Sequence, residues 1–303
     1  MLFTVVIPIY NSASYIAKTL ESIDNASTAL EYEILLIDDF SNDINDLREI
    51  IKNFEKVKLI VKDKKSNAAD SRNIGFLKSH SRFVFFLDSD DHFISDAIDS
   101  RIDTHKECEA GVIFSNFIIN RNGIESKSEL PEYNQEDLRD YILIKKGDVR
   151  SSVLSIDKNF HKGTLFDSES RKHQDWIFAF KCWDNEEKIV FDEQYNTIIN
   201  FDRDTRMSSS ANPKASKYLV ENYLSNVKHI NKFSENNWRS TISQQDTEAC
   251  DFFISIYQPQ NISGFVKLNF YKVMSTKLVL PLSSDAITKI RTLKYKYKKN
   301  RES

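Results

Sequence analysis

The sequence is poor in glycine, proline and cysteine. Its 303 residues include six glycines, five prolines and three cysteines. No G-x-G-x-x-G stretch occurs, which excludes the dinucleotide loop of a Rossmann dehydrogenase. The segment after the first apolar run, residues 10–14, also lacks the glycine-rich loop with Arg and Lys that a nucleotidylyltransferase needs. The cysteines are far apart and form no C-x-x-C pair, so neither a zinc site nor a disulfide scaffold is predicted.

Long apolar runs are also missing. No stretch approaches 18 apolar residues, and the N-terminus lacks the basic segment of a signal peptide. We therefore expect a cytoplasmic protein. The net charge of −3 argues against a protein that charge steers to nucleic acid.

Positive charge is concentrated at the end of the sequence. Residues 288–303 contain seven Lys or Arg and one Glu. Helical spacing would place Ile290, Leu293 and Tyr297 on one face, with cations around them. Such a segment suits peripheral contact with the anionic inner face of a membrane. A solvated or disordered basic end is the alternative.

The first 120 residues alternate short apolar runs with segments of helical periodicity. The apolar runs predict strands over 3–9, 33–37, 57–61, 83–87 and 112–119. Between them, spacings such as Ile16, Leu20 and Ile23 predict amphipathic helices. Strands that are apolar on both faces and alternate with helices indicate an α/β fold, with a mostly parallel, Rossmann-like sheet flanked by helices.

The regular alternation of apolar runs with segments of helical periodicity ends after Gly123. We expect a polar loop over 124–134, and then a short helix, three strands and another helix. Those helices are predicted over 136–145 and 174–184, and the strands over 149–156, 188–191 and 195–201. Everything beyond Pro213 has helical character. The sequence thus divides into three segments: residues 1–123, residues 124–212, and a helical region over 213–303 with the basic tail.

Acidic clusters follow two of the predicted strands. Asp38-Asp39 ends the second strand, and Asp88-Ser89-Asp90-Asp91 follows the fourth. Ligands bind beyond the carboxyl ends of the strands in such sheets, so we expect these acids to converge. Three carboxylates within four residues repel one another unless a cation is present, and Mg²⁺ or Mn²⁺ bound with phosphate oxygens would suit them. A solvated acidic turn that caps the next helix is the alternative.

Four sequence blocks resemble the family 2 inverting glycosyltransferases in order and spacing. They are Val5–Asn11, Ile34–Asp43, Asn67–Gly75 and Phe86–Asp91. The resemblance implies a GT-A fold and a nucleotide-diphosphate sugar donor, most simply a UDP-sugar. It also implies that Asp90 binds the metal, Mn²⁺ or Mg²⁺, that bridges the diphosphate.

The same resemblance implies the donor-binding residues. The base pocket would be lined by Pro8, Ile9 and Tyr10, and Asp39 would accept a hydrogen bond from the pyrimidine. The rest of the donor would contact Arg72, Asp88 and Ser89, with Asp88 near the ribose. The sequence departs from the family in two places: Phe40 stands where a glycine is usual, and no glycine follows Asn67.

A second candidate site begins the predicted helix at 174. An inverting transfer needs a base that takes the proton of the acceptor hydroxyl, and a carboxylate can do this. The family usually has Glu-Asp here, with the Asp as base, and this sequence has Gln174-Asp175. The resemblance therefore implies that Asp175 is the catalytic base. It also implies that residues 1–123 bind the nucleotide sugar and that residues 124–212 bind the acceptor and supply this base. A carboxylate that only favours the helix dipole is the alternative.

A basic and serine-rich segment follows the last predicted strand. Arg203 and Arg206 precede Ser208-Ser209-Ser210, where family members often carry a flexible loop. Such a loop would close over the diphosphate, and Arg206 is the predicted donor contact. An exposed loop rich in Arg and Ser, without such a role, is the alternative.

Together these features predict a metal-dependent inverting hexosyltransferase. It would move a sugar from a UDP-sugar to a hydroxyl of a growing surface polysaccharide, such as an O-antigen or capsule, or of a lipid-linked oligosaccharide. The alternative is a non-catalytic nucleotide-binding subunit of a polysaccharide assembly complex. The presence of both Asp90 and Asp175 counts against that alternative, because a protein without turnover needs neither.

Overall fold

The chain forms two compact units, Met1–Arg203 and Asp204–Ser303. A computed structural model describes residues 2–28, 31–201 and 212–276. Within those ranges, no helix combines the length and the apolar character that crossing a bilayer requires.

One mixed sheet organises the first unit. Over the described residues its strands are β1 Phe3–Ile9, β2 Tyr32–Asp38, β3 Val57–Val61, β4 Phe83–Phe86, β5 His92–Phe93, β6 Val112–Arg121, β7 Ile124–Lys127, β8 Ser155–Asp157 and β9 Ile189–Asn200. Their spatial order is β3-β2-β1-β4-β8-β6-β9-β5, and β7 pairs with β6. Parallel pairing joins β3, β2, β1 and β4, and also β6 and β9. The predicted α/β fold is confirmed.

Helices flank this sheet. They are α1 Ile16–Asp24, α2 Ile44–Ile51, α3 Ala68–Lys78, α4 Ala97–Cys108 and α5 Gln174–Asp184. The apolar positions predicted for α1, Ile16, Leu20 and Ile23, are fully buried against the sheet. Strand β1 is buried from Phe3 to Ile7, because helices or loops cover both of its faces. The burial of apolar side chains along both faces explains the uninterrupted apolar run in the sequence.

Three predictions between 124 and 156 are wrong in detail. The expected loop begins with β7, whose four residues are all exposed and so carry no alternating apolar signal. The expected helix over 136–145 is only a π-helical segment, Asp140–Ile144, in which three consecutive residues are buried. An amphipathic α-helix cannot bury three consecutive residues on one narrow face. The expected strand over 149–156 is a 3₁₀ turn, Ser151–Val153, followed by β8.

The two strands predicted over 188–191 and 195–201 are one strand, β9. Its pairing with β6 shifts register between Ser115 and Asn116, where Asp192 and Tyr195 are the successive partners. The polar residues at this irregularity interrupt the apolar pattern. Asp192 nevertheless points inward and pairs with the buried Arg101 at 2.9 Å.

The second unit is helical over its described residues, as predicted beyond Pro213. The helices are α6 Pro213–Tyr223, α7 Val227–Gln244, α8 Thr247–Ile256 and α9 Ile262–Met274. Each begins after an Asn or Asp whose side chain accepts a hydrogen bond from a first-turn amide. Phe233, Trp238 and Phe253 are among the buried residues of this unit.

Candidate active site

The acidic residue that follows β2 lies at the carboxyl edge of the sheet. The Asp39 amide donates to the Ile9 carbonyl at 2.9 Å, so the ends of β2 and β1 are adjacent. The Asp39 carboxylate pairs with Lys62 at 2.8 Å, and Lys62 pairs with Asp70 at 2.9 Å. The Lys62 side chain is only 6% exposed, so its charge acts on the buried Asp39 and the partly exposed Asp70 with little screening by water. Sequence reasoning missed Lys62, although its position directly after β3, beside β2, was a usable signal.

Pro8 and Ile9 form the end of β1, where they pair with Ile37 and Asp38. Tyr10 follows them and is 42% exposed, with the Lys65 ammonium 3.6 Å from the centre of its ring. An exposed aromatic ring beside Asp39 is suited to stack on a nucleobase. The structure thus gathers Pro8, Ile9, Tyr10 and Asp39 at one edge.

The loops after β1 and β2 are joined by hydrogen bonds. The Asn11 amide donates to Ser41 Oγ at 2.9 Å, and the Asn42 amide donates to Asn11 Oδ1 at 2.8 Å. The Ala13 amide donates to Asp43 Oδ2 at 2.8 Å. These bonds fix the positions of the two loops that would form the predicted base pocket.

Phe40 has a backbone conformation that favours glycine. Its φ is 70°, in the left-handed region, and its side chain is 57% exposed. The Asp38 carboxylate accepts hydrogen bonds from the Phe40 and Ser41 amides, both at 3.1 Å, and so holds this turn. The glycine that the family resemblance implies at this position would have a backbone reason, and here a phenylalanine adopts a conformation of that type.

Arg72 connects the predicted donor site to the start of α5. Its Nη2 donates to Asp88 Oδ1 at 2.6 Å, and its Nη1 donates to Gln174 Oε1 at 3.1 Å. The guanidinium lies 5.4 Å from the centre of the Phe166 ring. Arg72 is 4% exposed, and its buried Nε has no hydrogen-bond partner. A buried guanidinium with an unused donor is suited to bind an anion at this place.

The acidic turn after β4 is held from two other parts of the chain. Ser152 Oγ accepts from the Asp88 amide at 3.0 Å and donates to Asp91 Oδ2 at 2.6 Å. The Asn200 amide donates to Asp91 Oδ1 at 2.9 Å, and its side chain donates to the Asp90 carbonyl. Sequence reasoning missed Ser152 and Asn200, and neither belongs to a motif that could have revealed them.

Ser89 faces the loop after β1. It is 8% exposed, and its Oγ accepts a hydrogen bond from Ser12 Oγ at 3.1 Å. The Ser89 carbonyl accepts from Thr19 in α1 at 2.9 Å. Ser89 therefore lies between the predicted base-pocket loop and the acidic turn.

The charges of the acidic turn fit a divalent cation. Burial, and then the charges of Asp88 and Asp90, raise the pKa of Asp91 well above its usual range. This crowding of negative charge would be relieved by a cation. Among the described residues, no group of three or more His, Cys, Asp or Glu is arranged around a metal position. A metal that takes one or two carboxylates plus phosphate oxygens needs no such group, so the metal-binding role of Asp90 stays a prediction.

Asp175 lies in the first turn of α5 and is half-buried. Burial first, and then the charge of Asp148, raise the pKa of Asp175 to about 6, against the opposing charges of Arg72 and Arg150. Asp148 is held by Arg150 Nε at 2.7 Å and by Trp176 Nε1 at 3.3 Å. A carboxylate with this pKa is mostly ionised at neutral pH and still basic enough to accept a proton.

The residue before α5 fixes how the helix begins. His173 has a φ of 62°, and its ring stacks on Trp176 with the centroids 5.2 Å apart. Burial, and then the charge of Lys172, lower the pKa of His173 to about 3, so its ring is neutral near Asp175. Asp148 and Arg150 were not predicted, because they precede a turn without apolar periodicity.

Arg203, Arg206 and the basic segment over 288–303 lie outside the described residues. The predicted donor contact of Arg206 and the predicted membrane contact of the tail therefore stay predictions.

The sequence model of one protein family, Glycosyl transferase family 2, matches residues 4–162. Among characterised relatives, the chain is 26% identical to the poly(ribitol-phosphate) β-N-acetylglucosaminyltransferase TarP of Staphylococcus aureus, over 76% of this chain and 71% of TarP. It is 28% identical to the UDP-Glc:α-D-GlcNAc-diphosphoundecaprenol β-1,3-glucosyltransferase WfgD of Escherichia coli, over 43% of this chain and 52% of WfgD.

A solved structure has the same fold. The crystal structure of S. aureus TarS 1–349 in complex with UDP-GlcNAc aligns with a TM-score of 0.64 at 17% identity, covering 99% of this chain and 92% of that chain. The expected GT-A fold is thereby confirmed. The matched residues 4–162 contain β1 from its second residue, the strands β2–β4 and both acidic clusters.

Proposed function

The chain belongs to glycosyl transferase family 2, and from this membership we propose that it is an inverting hexosyltransferase that uses a UDP-sugar. The acceptor would be a hydroxyl of a growing surface polysaccharide or of a lipid-linked oligosaccharide. The observation that carries the proposal is the guanidinium of Arg72, which contacts both Asp88 and the residue that precedes Asp175. A donor bound at Asp88 would then be connected through a single side chain, that of Arg72, to the start of the helix that carries the base.

The donor would bind along the carboxyl edge of β3, β2, β1 and β4. Tyr10 would stack on the base, Asp39 would accept a hydrogen bond from the pyrimidine, and Asp88 would approach the ribose. The hydrogen bonds between the loops around Asn11 and Ser41 support this assignment, because loops that are tied to each other lose little entropy when a ligand binds. The bound UDP-GlcNAc in TarS and the UDP-Glc in the name of WfgD support a UDP-sugar.

Asp90 would hold Mn²⁺ or Mg²⁺ together with diphosphate oxygens. When bound, the ion would supply positive charge to the leaving diphosphate. Arg72 would add to that charge through its unused Nε, and Arg206 would do so from the loop after β9. Asn200 and Ser152 would hold the acidic turn so that Asp90 keeps its position.

Asp175 would act as the general base. Its carboxylate would take the proton of the acceptor hydroxyl while the oxygen attacks the anomeric carbon, and UDP would leave from the opposite face. One displacement inverts the anomeric configuration, because no covalent sugar–enzyme intermediate forms. The pKa of about 6 supports this role, since an ordinary surface Asp would be a weaker base.

The acceptor class is proposed from the relatives. TarP is named for a poly(ribitol-phosphate) acceptor, and WfgD is named for a sugar linked to diphosphoundecaprenol. A lipid-linked acceptor would place the enzyme at the inner face of the cell membrane, where the basic segment over 288–303 would contact anionic lipid.

A donor panel tests the proposal. Purified protein is incubated with UDP- and GDP-sugars, Mn²⁺ and a lipid-linked acceptor, and product configuration is read by NMR. We expect transfer from one UDP-sugar, with inversion. Donor binding without transfer to any polysaccharide or lipid-linked acceptor would favour the alternative, a non-catalytic partner subunit. A product with retained configuration would contradict the single displacement.

A further inference from the structure

Helix α9, which is 13 residues long, exposes five large apolar side chains. Ile262 is 83% exposed, Val266 is 65% exposed and Val273 is 58% exposed. Phe265 and Phe270 are 56% and 54% exposed. At 100° per residue these five side chains fall on one side of the helix.

The opposite side of α9 packs into the second unit. Tyr271 is buried, and its ring lies 4.1 Å from that of Trp238 between centroids. Trp238 Nε1 donates to Ser275 Oγ at 2.8 Å, which fixes the end of the helix. Helix α9 is therefore packed on the second unit through one side, and the apolar side chains on its other side are exposed although the helix is docked.

Charge distinguishes the two units. The second unit, residues 204–303, contains 16 Lys or Arg against 8 Asp or Glu, whereas the first contains 26 against 37. The net charges are +8 and −11. On α9 itself Lys272 is exposed and lies beside the apolar side chains along the helix surface. A cationic unit attracts an anionic surface, and the apolar side chains favour one that also offers hydrocarbon.

We propose that the exposed face of α9, formed by Ile262, Phe265, Val266, Phe270 and Val273, inserts into the interface of an anionic bilayer. A soluble polyanion would be attracted by the charge but would leave the apolar face in water. The cations of the second unit would bind lipid headgroups while these side chains enter the acyl boundary. This inference does not depend on the proposed transferase reaction, because bilayer binding requires neither donor nor acceptor.

Vesicle sedimentation of the full chain tests the proposal. We expect binding to phosphatidylglycerol-containing vesicles, weak binding to phosphatidylcholine vesicles, and about tenfold or greater weakening in the Ile262→Ser/Val266→Ser variant. The matched control is Leu77→Ser/Ile124→Ser, which removes side chains that are 66% and 56% exposed in the first unit and should bind like the wild type. Circular dichroism should be unchanged in both variants. Equal binding by wild type and the α9 variant would overturn the proposal.

A gain-of-signal variant gives a second, independent measurement. The fluorescence of Val266→Trp should be quenched by brominated anionic lipid, and that of Leu77→Trp should not. Absence of quenching at position 266 would overturn insertion.

Deletion of 288–303 should weaken vesicle binding and preserve the quenching of the fraction that binds. A wild type that self-associates through α9 and does not bind vesicles would also overturn the proposal, in favour of a contact between copies of the chain.

Discussion

Asp88 and Gln174 are held by the same guanidinium, that of Arg72, at 2.6 and 3.1 Å. Asp88 follows β4, and Gln174 begins α5 almost ninety residues later in the sequence. Because Gln174 is neutral, Arg72 has one carboxylate partner instead of two. Its positive charge is thus less fully neutralised than it would be beside the usual Glu.

A substitution at Gln174 tests this relationship. Gln174→Glu should pair with Arg72 and add negative charge next to Asp175. We expect the variant to fold, to raise the pKa of Asp175 and to move the acidic limb of kcat/KM to higher pH. Donor affinity should fall, because Arg72 is then more fully neutralised. An unchanged pH profile and unchanged affinity would show that Gln174 does not act through charge.

Removal of the charge of the neighbouring Asp148 should shift the pKa of Asp175 in the opposite direction. Burial, and then the charge of Asp148, raise the pKa of Asp175 to about 6, so removing that charge must lower this pKa. Asp148→Asn keeps an oxygen for the Trp176 indole. We expect the acidic limb of kcat/KM, near pH 6 in the wild type, to move to lower pH, because the base then stays ionised in more acidic solution. A limb that does not move would mean that another group titrates there.

Lys62 should matter for stability as well as for donor binding. Lys62→Met removes the buried cation that Asp39 and Asp70 share, which should cost about 3 kcal/mol in the free energy of unfolding. The control is Lys52→Met, which removes a pair with Glu49 in which both side chains are largely exposed. That change should stay within about 0.5 kcal/mol. Urea unfolding measures both, and equal effects of the two substitutions would contradict the role given to Lys62.

The acidic turn should make nucleotide binding depend on metal. UDP with Mn²⁺ should stabilise the protein against unfolding, by about 2.7 kcal/mol at a hundred times the dissociation constant, and UDP with chelator much less. Asp90→Ala should remove the metal-dependent part, whereas Asp103→Ala, at an exposed carboxylate paired with Lys106, should not. Equal stabilisation with and without metal would contradict metal bridging but leave the fold assignment intact.

Much of the fold could be predicted because its signal is local. The bounds of β3 and α5 agree with those predicted, and α1 buries the three residues that its spacing indicated. Parallel strands buried on both faces give apolar runs, and their carboxyl ends meet at one edge. That rule alone predicts that Asp39, after β2, lies next to the end of β1 at Ile9.

The missed part of the site depends on contacts between distant segments. Ser152 and Asn200 reach the acidic turn only because β8 pairs with β4 and β9 pairs with β5, the strand that directly follows the turn. Asp148 and Arg150 lie in irregular backbone before a 3₁₀ turn, where no periodicity shows which way a side chain points. Antiparallel additions to the sheet have no signature in these short segments, so their polar side chains could not be placed from sequence.

The most direct test of the account is single-turnover transfer by Asp175→Asn, measured with donor affinity on the same sample. The account predicts near-normal binding of the UDP-sugar and a loss of transfer of about 10²–10⁴-fold. The ionised Asp175 is destabilised by burial, so the Asn variant should also be more stable than the wild type above pH 6, by about 2 kcal/mol, and this gain should vanish below about pH 4. Full transfer by a folded Asp175→Asn would contradict the account, and the base would then be another group.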